Sequence, residues 1–109
     1  MKNSGLTEKE IYDIQAVFSN YPQIEEVLIY GSRAKGNYQP ASDIDLALKG
    51  SGINTSLQTQ IEFDLDDLLL PYKFDLSIYD KISNSNFLEH INKVAKTFYQ
   101  RRKTDKSTI

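Results

Sequence analysis

Two aspartates, Asp43 and Asp45, stand one residue apart in an apolar run that continues through Leu46, Ala47 and Leu48. In an extended strand alternate side chains share a face, so both carboxylates project from one side while Ile44, Leu46 and Leu48 project from the other. Carboxylates so placed repel, and one tends to keep its proton. A hard divalent cation such as Mg²⁺ between them removes the conflict, because it prefers carboxylate oxygen. The pair reads as a metal seat. Upstream, another apolar run (Val27, Leu28, Ile29, Tyr30) breaks at Gly31 and Ser32. Glycine takes backbone angles closed to other residues, Ser32 adds a hydroxyl, and a helix starting here offers free N–H groups to a phosphate. Arg33 and Lys35 follow in a short basic segment. Metal and phosphate sites thus face each other across a strand, a turn and a second strand.

The elements that must hold these residues can be read in order. Residues 1–5 are expected to be disordered. Thr7 with Glu10 is a capping-box pattern, and Ile11, Ile14, Val17 and Phe18 share a helical face, which predicts a helix over Thr7–Ser19. Asn20-Tyr21-Pro22 ends it. A strand follows over Glu25–Tyr30, apolar on both faces and therefore central. Ser32–Lys35 makes a short helix, Asn37–Ser42 a loop, and Asp43–Leu48 the second strand. Asn54 or Thr55 caps a helix striped by Leu57, Ile61, Leu65, Leu68 and Leu69 and stopped by Pro71. Its acids Glu62, Asp64, Asp66 and Asp67 read as a solvated face. The third strand, residues 73–79, sets Phe74, Leu76 and Ile78 against Asp75, Ser77 and Tyr79, so a third acid lies within a strand. Asn86 starts a last helix with Phe87, Leu88, Ile91, Val94, Ala95 and Phe98 on its buried side. His90 falls off that stripe and reads as a surface residue. Tyr38 reads as an exposed loop residue. The order predicts an α/β (α+β) fold with a mixed sheet and helices packed mainly on one face.

A chain of 109 residues fits a single domain, here 1–109, with the end from about residue 101 expected to be flexible. The composition, 39% hydrophobic and 26% charged, is that of an ordinary globular protein. No apolar run approaches a membrane span, and the polar start does not resemble a signal peptide. The absence of cysteine excludes disulfides and thiolate zinc sites and fits a reducing, cytoplasmic setting. Charge is uneven: residues 1–92 carry seven Lys/Arg against 14 Asp/Glu, and residues 93–109 carry six against one. An acidic body argues against broad nucleic-acid binding.

The spacing of Gly31-Ser32, ten residues, then Asp43-x-Asp45 resembles the nucleotidyltransferase signature of the polymerase beta-like superfamily. The fuller match, G-S-R-A-K-G followed by S-D-I-D-L-A, is similar to the minimal nucleotidyltransferases (MNT), small proteins often paired with a helical HEPN partner as antitoxin and toxin. The pattern covers residues 24–80. It implies the nucleotidyltransferase palm, with a mixed sheet of three strands or slightly more. It also implies a third carboxylate beside the D-x-D strand, which falls on Asp75, with Asp80 as the fallback. On this reading Asp43, Asp45 and Asp75 hold two Mg²⁺ ions. Gly31 and Ser32 hold the β and γ phosphates of ATP, and Arg33 and Lys35 neutralise the triphosphate. AMP passes to a hydroxyl, and the resemblance places that hydroxyl on a tyrosine of a HEPN-type toxin, whose body supplies the walls a short chain lacks. The alternative is a non-catalytic antitoxin that neutralises by binding. Transfer to a small molecule would need a cradle this chain lacks. Homo-oligomerisation stays open.

Overall fold

The structure is a computed structural model in which residues 3–101 are described. Helix α1 (Glu8–Ser19) begins at the expected capping box: Glu10 donates its backbone N–H to the Thr7 hydroxyl at 3.0 Å, and Thr7 N–H donates to the Glu10 carboxylate at 2.9 Å. After the turn at Pro22 come strand β1 (Ile24–Tyr30), the single-turn helix α2 (Gly31–Lys35) and strand β2 (Ile44–Gly50). Helix α3 (Thr55–Asp66) is capped by Asn54, whose side chain accepts from Leu57 N–H, and carries the chain back so that β3 (Phe74–Ile78) runs parallel to β2. A 3₁₀ turn (Tyr79–Lys81), helix α4 (Ser85–Val94) and strand β4 (Lys96–Gln100) complete the chain. The sheet order is β3-β2-β1-β4, with β1 antiparallel to both its neighbours.

Strand β1 is central, as its two apolar faces predict. One sheet face packs Ile44, Leu46 and Leu48 of β2 with Ile14 and Phe18 of α1 and Ile61 and Leu65 of α3. The opposite face is partly covered by α4, where Ile91 meets Tyr30 and Ala47 with Phe87 and Val94 alongside. Because the β2 side chains alternate, Asp45 shares this second face with Ala47.

The structure corrects four local expectations. The last helix does not reach Phe98: it is capped by Asn84 rather than begun at Asn86, and ends at Ala95, whose backbone is already extended (φ −69°, ψ 149°). Lys96-Thr97-Phe98-Tyr99-Gln100 has β-forming residues and an open β1 edge to pair with, so it becomes a fourth strand. Phe98 is buried in the core of the α1 face, opposite the face that α4 covers. The helical stripe that included it was a coincidence of spacing. Helix α3 stops at Asp66 rather than continuing to Pro71, and Leu69, expected on its buried stripe, is 88% exposed with a left-handed backbone (φ 58°). Residues 3–5 belong to the fold, since Ser4 is buried. Arg101, at the start of the expected flexible end, donates its backbone N–H to Glu25 O at 2.8 Å and its guanidinium to the carbonyls of Ser19, Tyr21 and Ile24. The rest of that expectation, residues 1–2 and 102–109, lies outside the described residues.

Each outer strand carries a carbonyl bonded to a helix side chain. Ile44 N–H donates to Lys73 O at 2.8 Å, and alternate residues of a parallel strand face its neighbour, so the Leu76 carbonyl points to the outer edge of the sheet. Gln58 of α3 donates to it at 2.9 Å. In β4 the register slips between Tyr99 and Thr97, and at that bulge the Phe98 carbonyl accepts from Gln15 of α1 at 2.7 Å.

Truncating Phe98, which is 2% exposed, removes a large side chain from the core. Phe98→Ala is expected to lower unfolding free energy by about 3–5 kcal/mol, read by urea denaturation. A loss below about 1 kcal/mol would mean that β4 is not docked as described.

Candidate active site

Tyr30 ends β1 with extended angles, and Gly31 opens α2 at φ 74°, a conformation that L side chains rarely adopt. Position 31 is constrained a second way, because a Cβ there would collide with the Asp45 carboxylate. Asp45 pairs in register with Tyr30 across β1–β2, and with Asp75 across β2–β3. The start of α2 therefore lies directly against the acidic strand. Helix α2 closes with Gly36 in the left-handed region, where the N–H groups of Gly36 and Asn37 donate to Ser32 O at 2.9 and 3.1 Å.

Of the three sequence-predicted acids, Asp45 stands in register with Asp75 and within electrostatic reach of Asp43. Burial first, then the charges of Asp75 and Asp43, push the Asp45 carboxyl up to about 6. Asp43 lies just before β2 and is exposed, as is Asp75. Among the described residues, no three acid or histidine side chains are already gathered as a metal cage. The donor chemistry nevertheless fits Mg²⁺: oxygen ligands only, with mutual repulsion that a hard cation relieves. Asp80 is exposed in the 3₁₀ turn, and His90 is exposed on α4, as its position off the stripe implies. Tyr30, buried on the same face, has its phenol 3.4 Å from Ser77 Oγ. Its pKa is raised by burial and by the charges of Asp75 and Asp45. Sequence reasoning did not single it out, although the alternation that puts Asp45 on this face also puts its register partner there.

Of the two basic residues, Lys35 is exposed on α2. Arg33 is not available as expected. It is 2% exposed, and its guanidinium donates to the carbonyls of Ser4 (2.8 Å), Pro40 (3.2 Å) and Ser42 (3.1 and 3.2 Å). The rings of Tyr38 and Tyr72 lie 5.0 and 4.8 Å from its central carbon. Tyr38, expected as a bare loop residue, is thus half-buried in that contact. In α3, Asp64 accepts a hydrogen bond from Tyr21, while Asp66 and Asp67 are solvated as expected.

With this geometry established, comparison with known proteins identifies the class. The family described as "Polymerase beta, Nucleotidyltransferase" matches residues 12–104, and the chain belongs to it. It is a nucleotidyltransferase domain. No curated protein sequence matches significantly. Among solved structures, a chain of a toxin–antitoxin crystal structure with AMP-PNP superposes with a TM-score of 0.68 at 18% identity, over 94% of this chain and 80% of that one. A chain of the tri-AMPylated Shewanella oneidensis HEPN toxin in complex with MNT antitoxin gives 0.66 at 14% identity, over 94% and 79%. A chain of the MntA–HepT toxin–antitoxin complex gives 0.64 at 14%, over 93% and 79%. At such identities the likeness establishes the shared fold. Among the described residues no helix is long and apolar enough to cross a membrane.

The raised Asp45 carboxyl gives a signed pH dependence. Between the ordinary value of 3.8 and about 6 the folded chain holds a proton that the unfolded chain has released, so stability falls as pH rises through that window. In metal-free buffer, the urea midpoint of the wild type relative to Asp45→Asn is expected to drop from pH 4 to pH 6.5, leaving the variant the more stable at pH 7.5. A pH-independent difference between the two would contradict the crowded-carboxylate description.

Proposed function

We propose that this chain transfers AMP from ATP, in the presence of Mg²⁺, to a hydroxyl of a HEPN-type helical protein, and acts as that protein's antitoxin. The observation that carries the reading is the contact of Gly31 with Asp45, which sets the start of α2 directly against the strand that bears Asp45. Gly31 and Ser32 would receive the β and γ phosphates on backbone N–H and hydroxyl groups, and Lys35 lies on the same short helix to meet their charge. Asp43, Asp45 and Asp75 would hold two Mg²⁺ ions. What bound Mg²⁺ supplies is charge stabilisation on the attacking and leaving oxygens. The acceptor oxygen forms a bond to the α-phosphorus as the bond to pyrophosphate breaks, and Asp75 takes the acceptor proton. The solved complexes with a similar fold, one with AMP-PNP and one with a tri-AMPylated HEPN toxin, support the choice of nucleotide and acceptor.

A second reading, neutralisation by binding alone, draws on the fact that the acids do not form a ready cage among the described residues. The two separate cleanly. Incubating the chain with Mg²⁺, ATP and its HEPN-type partner is expected to add adenylyl units to the partner's intact mass, and folded Asp43→Asn should slow this on the order of 10²–10³-fold. No mass gain, with neutralisation kept by Asp43→Asn/Asp45→Asn, would establish binding instead. Mg²⁺ with a nonhydrolysable ATP analogue at ~100 times its Kd is expected to stabilise the chain by about 2.7 kcal/mol, and an unchanged melting temperature with and without the partner would refute nucleotide binding.

A further inference from the structure

Arg33 sits in the segment that resembles a phosphate-binding turn, yet the fold encloses it. Its guanidinium directs its donors to three backbone carbonyls, and among the described residues it forms no ion pair. The surroundings are shaped to it. Tyr38 and Tyr72 lay their rings against it, Tyr72 is itself held by hydroxyl bonds to both Glu10 carboxylate oxygens at 3.1 and 3.2 Å, and Gly5 leaves no room for a side chain beside Arg33 and Tyr38. A buried cation costs free energy unless it is hydrogen-bonded, so these contacts are a condition of its presence.

The carbonyls it holds are informative. Ser42 immediately precedes Asp43, and receives two of the guanidinium's bonds. The turn before it is closed on itself: Ser42 N–H donates to Gln39 O at 2.9 Å, and Gln39 N–H donates to Ser42 Oγ at 2.7 Å. Such a turn is rigid internally and needs an anchor to fix it relative to β2. Pro40 O and Ser42 O are both anchored to Arg33, whose backbone belongs to α2, the helix that opens at Gly31. Tyr72 extends the assembly to the residue pair before β3, the strand that carries Asp75.

We infer that Arg33 is a positioning residue, which fixes Asp43 relative to the Gly31-Ser32 turn through the Pro40–Ser42 carbonyls and does not contact the triphosphate. This deepens the proposed function and rests on it for the roles of Asp43 and Gly31. Lysine at this position keeps the charge but cannot supply a planar fork to several carbonyls at once.

The test uses Arg33→Lys beside the wild type, both checked for folding by thermal melting. Amide hydrogen exchange at residues 39–43 is expected to quicken in the variant while exchange in β1 stays unchanged. Half-saturating Mg²⁺ for AMP transfer should rise about 10–100-fold, as it does when a group supporting a metal ligand is lost, with little change in the KM for ATP at saturating Mg²⁺. A raised KM for ATP with an unchanged Mg²⁺ requirement would overturn the inference and return Arg33 to the phosphates. Should the variant fail to fold, the side-chain Nε–H resonance of Arg33 in the wild type gives an independent readout: it is expected to exchange slowly and to stay in place when Mg²⁺ and a nonhydrolysable ATP analogue bind. Movement of that signal on nucleotide binding would also overturn it. If the wild type binds no nucleotide and transfers none, the proposed function fails, while unchanged exchange at residues 39–43 in a folded Arg33→Lys would overturn the anchoring by itself.

Discussion

The rest of the structure depends on the close approach of Gly31 to Asp45. Two strands that bear opposite kinds of chemistry are registered so that the end of β1 meets the start of β2, with Tyr30 opposite Asp45. Nothing larger than hydrogen fits between the turn and the carboxylate. That contact fixes where α2 begins, which carbonyls its arginine can reach, and how far the loop to Asp43 must travel. The parallel β2–β3 pairing sets a second carboxylate, Asp75, beside Asp45. The crowding raises the Asp45 carboxyl and so makes the fold less stable near neutral pH than in mild acid. A chain that accepts this cost at one end recovers stability from the apolar face behind, where Ile44, Leu46 and Leu48 are wholly buried.

Much of this arrangement is legible in the order of residues alone. The alternation in residues 43–48 and 73–79 carries both the strand assignment and the direction of the acids, because a period of two allows only one choice of face once the apolar set is buried. The capping box at Thr7 locates α1 to the residue. What failed did so where one pattern had two physical readings. Phe87, Ile91, Val94 and Phe98 are spaced as a helical stripe, but Ala95 ends the helix and the following β-formers find a vacant strand edge, a long-range opportunity that no local spacing displays. Leu69 fits the α3 stripe equally well, and it is lost because the helix has already stopped.

Arg33 illustrates a different kind of illegibility. Its place in the chain, beside a glycine and serine, favours contact with phosphate. Its place in the fold is decided by Ser4, Tyr38, Pro40, Ser42 and Tyr72, drawn from separate stretches of sequence. Burial of a guanidinium is a collective property of these residues, and no single one of them announces it. The acids could be read from their own strand, whereas the group that holds their loop could not.

The helix glutamines bonded to the two outer strands bear on how open the edges of this sheet are. A sheet with exposed edges invites a foreign strand to extend it, through the row of unpaired backbone groups it presents. Here the Leu76 carbonyl on one side and the Phe98 carbonyl on the other are already occupied by Gln58 and Gln15, and the second edge is also bent by a bulge. A strand added beside β3 would compete with the Gln58 amide for the Leu76 carbonyl. Extension of the sheet by a foreign strand is therefore disfavoured at the β3 edge, where a side-chain amide already fills an acceptor that such a strand would need.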